Sequence, residues 1–186
     1  MSGYWPFRMN PLTIALTLAV SAFAGLTSDA AAATLPKDPC ALLEPAEIQT
    51  LAPNDKIGSG LPDTSGIPMA VGCAYTWGTR TKEWGQTTLS ITVTDASQVW
   101  PAGLSSDDIK QRVLVEIRTD GPHASEIAGI GDGAVFTTDD KAHDAMAKAY
   151  FVKAKGILLM VSFHGGSAFS QRDKIIALLK TAGGRL

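Results

Sequence analysis

Thr87-Thr88-Leu89-Ser90-Ile91-Thr92-Val93-Thr94 alternates without a break between apolar side chains and small hydroxylated ones. A period of two marks a strand with one face in a core and the other away from it, and Thr, Ile and Val suit a pleated surface. Leu89, Ile91 and Val93 are therefore expected to point inward, and Thr88, Ser90, Thr92 and Thr94 outward. On the N-terminal side, Gly72-Cys73-Ala74-Tyr75-Thr76-Trp77-Gly78 keeps the same period, with Cys73, Tyr75 and Trp77 on one face. The segment 79–86 between them, with Arg80, Lys82, Glu83 and Trp84, reads as a polar hairpin loop, and a short strand is expected at Lys56–Ser59. On the C-terminal side, Ala134–Thr138, Ala149–Val152 and Ile157–Phe163 make a second run of three, the last two joined around Lys155-Gly156.

Helical spacing brackets these runs. Leu42, Leu43, Ile48 and Leu51 recur on one stripe from Cys40 onward, with Pro45 tolerable only in a first turn and Pro53 as the stop. Ser105-Ser106-Asp107-Asp108 offers an N-cap and an acidic first turn to a stripe of Ile109, Val113, Leu114 and Ile117, ended by Gly121-Pro122. A last helix is expected from Ala168 to Thr181, opened by a capping-box-like Ser170–Asp173 and closed by Gly183-Gly184. Its buried side is Phe169, Ile175, Ile176, Leu178 and Leu179. Hairpin-joined strand runs alternating with helices predict the α+β class: an antiparallel sheet of about six strands in two three-stranded runs, with helices on one face. The two αβββ halves look like a degenerate pseudo-repeat.

The first 33 residues read as an address. Arg8 precedes an apolar run from Leu12 to Leu26, and Ala30–Ala33 follow, with Ala31 and Ala33 in the small positions before a cut. This is the pattern of a secretory signal peptide cleaved near Ala33–Thr34, leaving residues 34–186 as a single exported α+β domain. An uncleaved anchor is the alternative, but the run is shorter than the ~20 residues a spanning helix needs. No later apolar stretch reaches that length, so no membrane span is expected after cleavage, and the destination is periplasmic or secreted.

Export places Cys40 and Cys73 in an oxidising compartment, where a pair is normally bridged. A structural disulfide is expected, with free thiols as the alternative; a redox pair would want C-x-x-C spacing. The chain is 186 residues long, 45% hydrophobic and 18% charged, with a net charge of -2. That charge leaves no basic footprint, so nucleic acid is excluded as a partner.

Candidate chemistry is sparse. Phe163-His164-Gly165-Gly166-Ser167 has the H-G-G of an esterase oxyanion loop, but no G-x-S-x-G elbow exists anywhere in the chain, and a glycine turn suffices. Gly129-Ile130-Gly131-Asp132-Gly133 precedes a strand rather than a helix, so it reads as a tight turn and not a phosphate loop. Asp139 to Asp144 reads as a polar turn; Asp140, His143 and Asp144 are weak metal-ligand candidates without calcium-hand spacing. No catalytic set and no cofactor site is expected. Trp84 and Trp100 in loops, and Met160 on the strand face opposite Leu159 and Val161, are the candidates for contact with a partner.

Asp38-Pro39-Cys40-Ala41-Leu42-Leu43, Pro45-Ala46-Glu47, Cys73 with Trp77 four on, and Ile130-Gly131-Asp132-Gly133-Ala134 together resemble a bacterial exported family, domain of unknown function 3558, common among actinobacterial lipoproteins. The resemblance covers about Lys37 to Leu186. The chain departs from that family in lacking a lipid-attachment cysteine and in having Tyr75 where a Trp is often seen. The resemblance implies an envelope location and a Cys40–Cys73 pairing, and it implies no catalytic residues. The functional expectation is a non-catalytic domain binding an envelope protein or a small ligand. The alternative is an envelope hydrolase whose site is assembled only in the fold.

Overall fold

Leu89, Ile91 and Val93 are fully buried, while Thr88, Ser90, Thr92 and Thr94 lie half-exposed on the opposite face. The strand that carries them, β3 (Gly85–Asp95), is near the middle of the sheet. The structure, a computed structural model, describes residues 34–63, 70–81, 85–95, 108, 111–112, 115, 124–139, 144–151, 156–165 and 169–186. The other strands are β1 (Leu61–Asp63), β2 (Ala70–Thr81), β4 (Ser125–Ile127), β5 (Gly133–Asp139), β6 (Asp144–Phe151) and β7 (Ile157–His164). They form one sheet in the order β1-β2-β3-β7-β6-β5-β4, antiparallel throughout. Each strand run folds as a meander, and the last strands of the two runs, β3 and β7, lie side by side.

The class is the expected α+β, with seven strands among the described residues rather than about six. The added strand is β4, three residues long and too short to show a period. The Gly129–Gly133 stretch is the turn from β4 into β5. No strand forms at Lys56–Ser59. The edge strand is instead β1, where Pro62 lies opposite Cys73; a missing N–H is tolerated on an edge. The polar residues from Thr79 to Thr81 belong to β2, past a register shift after Trp77, so the hairpin loop is shorter than expected.

The expected helix from Cys40 is two pieces: a 3₁₀ turn over Pro39–Leu42 and α1 (Pro45–Ile48). Pro45 is the reason. Proline pushes the residue before it out of the helical region, and Glu44 is extended at φ -89°, ψ 149°. Glu44 then caps α1 reciprocally with Glu47. Of the second expected helix, Asp108, Gln111, Arg112 and Val115 are helical and exposed; Ile109, Val113, Leu114 and Ile117 lie outside the described residues.

The last helix, α2 (Arg172–Gly184), follows a 3₁₀ turn at Phe169–Gln171 and buries Ile175, Leu178, Leu179 and Ala182 against β6 and β7. Beneath it β6 presents Ala145, Ala147 and Ala149, all buried, and this small-residue row lets the helix lie close to the sheet. Gln171, not Ser170, stands at the N-cap, and the Gln171 side chain makes no capping bond. Gly183 and Gly184 continue the helix rather than ending it. At Gly183 the reason is room: a Cβ there would sit 2.5 Å from Cζ of Phe151.

One core cluster joins the inner sheet face to the helices. Trp77 and Phe163 meet in it at 6.2 Å between ring centroids. Arg185, just beyond α2, donates to both carboxylate oxygens of Glu47, at 2.8 and 2.9 Å, and to the Leu42 carbonyl at 3.0 Å. The C-terminus is thus clamped to the N-terminal turns. Burial tends to raise the Glu47 pKa, but the Glu44 N–H and the Arg185 guanidinium together hold it below the ordinary glutamate value. A depressed carboxylate pKa contributes stability above the unfolded-state value and loses it as pH falls through the folded one. Arg185→Ala is expected to cost about 1 kcal/mol at neutral pH, because a bidentate pair of partly exposed side chains is worth little more. Urea denaturation at pH 7 and at pH 3 checks this: the difference from wild type should shrink at the lower pH.

Candidate functional site

Cys40 and Cys73 are bridged, with Cα atoms 5.1 Å apart across a sequence separation of 33. No cysteine among the described residues is free, so the bridge is a structural element. It pins the 3₁₀ turn to β2. Tyr75, two residues on and on the same face, sends its hydroxyl to the carbonyls of Leu43 at 2.6 Å and Cys40 at 2.9 Å. That end of the molecule is occupied by packing.

The other face of the sheet holds the chemistry. Strand registers place Thr88, His164 and Asp144 side by side across β3, β7 and β6. The next row on the same face is Ser90, Ser162 and Met146, followed by Thr92, Met160 and Lys148. The first two rows line an open hollow of about 190 Å³. In it Nδ1 of His164 lies 2.5 Å from Oδ1 of Asp144, with the two side chains 47% and 49% exposed. A carboxylate only accepts, so Nδ1 of the imidazole carries the hydrogen and Nε2 is left as the second, available nitrogen.

The floor of this hollow includes the backbone of Ala145 and Phe163, whose side chains face the core. β3, β7 and β6 are interior strands, each flanked on both sides. Their N–H and C=O groups lie in the sheet plane and are used in the ladders. At the end of β7, Gly165 adopts φ +124°, and a Cβ there would come within 2.8 Å of the Thr87 hydroxyl. The glycine after His164 thus serves close strand packing, as a glycine turn would.

Asp144 is therefore not in a polar turn but is the first residue of β6, committed to His164 rather than to a cluster of acidic ligands. Asp140 and His143, the other weak metal candidates, lie outside the described residues, among which no three His, Cys, Asp or Glu side chains gather to hold a metal. Trp84 and Trp100 also lie outside the described residues, as does the expected leader, residues 1–33. Met160 is half-buried on the outer face, one row beyond Ser162, and Leu158 follows it. Among the described residues no helix is long and apolar enough to cross a membrane.

The Asp144–His164 pair was not foreseen, although the hairpin carries the signal. Phe151 lies opposite Ile157, and counting back along that register sets Asp144 opposite His164. Ala145-Met146-Ala147-Lys148 hides this, because alanine and lysine are poor strand formers, so the strand reads as beginning only at Ala149. The chain matches no family model, no curated protein and no solved structure.

Proposed function

We propose that residues 34–186 are an exported, non-catalytic binding domain of the cell envelope whose ligand seats on the outer face of β3, β7 and β6. The observation that carries this reading is the hollow around Asp144 and His164, where a carboxylate, an imidazole and hydroxylated side chains converge over a sheet whose own amides are occupied. Convergent polar side chains in a concavity are the ordinary makings of a ligand site. The Cys40–Cys73 bridge supports a working life in an oxidising compartment. Membership among the exported proteins that the Asp38–Leu43 and Ile130–Ala134 segments resemble is part of the same proposal.

The test is a ¹H–¹⁵N NMR titration of the purified protein with envelope extract, separated into low-mass and protein fractions. Shifts confined to outer-face residues such as Thr88, Ser162 and His164 are expected. Shifts clustered elsewhere, or none with either fraction, reject the reading.

A second reading, an envelope hydrolase, draws on the orientation of His164, which leaves Nε2 as a potential base. Against it, acyl transfer needs preorganised donors at the developing oxyanion, and the strand amides under the hollow are already paired. Saturable hydrolysis of p-nitrophenyl acetate, far faster than free imidazole gives and lost in His164→Ala, would establish this second reading.

A further inference from the structure

The donor and acceptor inventory of the hollow selects among ligand classes. Asp144 only accepts, and with Nδ1–H directed to it, Nε2 is the ring nitrogen of His164 left for a ligand. Thr88, Ser90 and Ser162 each bring one donor and two acceptor lone pairs. An anionic ligand brings its negative charge against the Asp144 carboxylate. An ammonium offers donors alone and leaves the three hydroxyl hydrogens without a ligand partner. A neutral hydroxyl donates and accepts at once, and several on one rigid ring can answer both kinds of group. Met146, on the same floor, offers an apolar surface for the C–H face of such a ring. At about 190 Å³ the hollow is smaller than the usual pocket for a drug-sized molecule. It has room for one small unit, not for a chain of them.

Resting on the binding reading above, we propose that the Asp144–His164 hollow takes a single neutral polyhydroxylated ring, either a sugar residue of a glycan or a free cyclitol. Asp144 accepts from adjacent ring hydroxyls, Nε2 of His164 bonds to a third, and Ser90, Ser162 and Thr88 complete the set. No bond is made or broken.

The experiment is a ¹H–¹⁵N NMR titration of the purified protein with four probes: methyl glucopyranoside, myo-inositol, ethanolamine and inorganic phosphate. Saturable shifts at Thr88, Ser162 and His164 with the glycoside or the cyclitol alone support the proposal, and which of the two binds tells the glycan source from the free one. Asp144→Asn and Ser162→Ala, whose own spectra report that they are folded, should each weaken that binding; loss of a bond to the charged carboxylate predicts about tenfold or more for the former. Site shifts with ethanolamine or phosphate, and none with the two polyols, overturn the ligand class while leaving the binding domain standing. No site shift with any probe, in a protein that does respond there to envelope extract, also overturns the class. Silence with both probes and extract removes the binding reading itself.

Discussion

Cys40→Ser, Cys73→Ala and the double variant are each expected to lose about the same stability, on the order of 3.7 kcal/mol from the entropy of a closed loop of 33 residues. The bridge acts on the unfolded chain. While it is present, the unfolded ensemble cannot separate the 3₁₀ turn at Pro39–Leu42 from β2, so folding gives up less freedom. Removing either sulfur releases the whole loop, and removing the second releases nothing further. The double-mutant cycle should therefore return a coupling energy nearly as large as either single loss. Urea midpoints, with and without a thiol reductant, measure it: reductant should bring wild type down to the level of the variants. Losses that add across the two sites would show that each cysteine contributes only its own packing. Cys73 is fully buried in the sheet core, so Cys73→Ala, which leaves no polar atom behind, is the cleaner substitution there.

Tyr75→Phe is expected to cost about 2 kcal/mol, with the chain geometry otherwise kept. The Tyr75 side chain is 1% exposed, and its hydroxyl lies between the Leu43 and Cys40 carbonyls. Phenylalanine fills the same core volume but leaves those carbonyls facing a ring edge. The loss is mostly the penalty of desolvated acceptors rather than of packing. A second readout separates this from a mere packing defect. Burial first, and then the negative charges of Asp38 and Glu47, raise the Tyr75 pKa above the ordinary value of 10.0. Folding favours the neutral phenol, so its contribution is intact below pH 10.0 and fades as pH rises through the folded value. Stability measured from pH 8 upward should fall in wild type, and the gap to Tyr75→Phe should narrow. A gap that stays constant across that range would sink the hydrogen-bond account.

The Cys73-Tyr75-Trp77 triplet was legible as one face of a strand, and so was its destination in the core, because a period of two admits only one inward set. What the tyrosine hydroxyl binds was not legible, since Leu43 and Cys40 are brought to it only when the N-terminal turns fold over β2. The helix expected from Cys40 failed at Pro45, a local effect that the sequence does contain. Gly183 misled for the opposite reason: it reads as a stop, and it is a helical residue whose missing side chain makes way for the Phe151 ring.

Alternation within β3 and β7, the two-cysteine pairing and the α+β class followed from the sequence by itself, because each depends on residues close in the chain or on a count with one solution. The order β3-β7-β6, the row Thr88–His164–Asp144 and the hollow above it were decided only by the tertiary structure. The physical reason lies in the sheet. Side-chain neighbours across strands are set by register and strand order, and both are chosen by the burial of the opposite face under α2 and the N-terminal 3₁₀ turn, not by any preference of the polar residues that end up side by side.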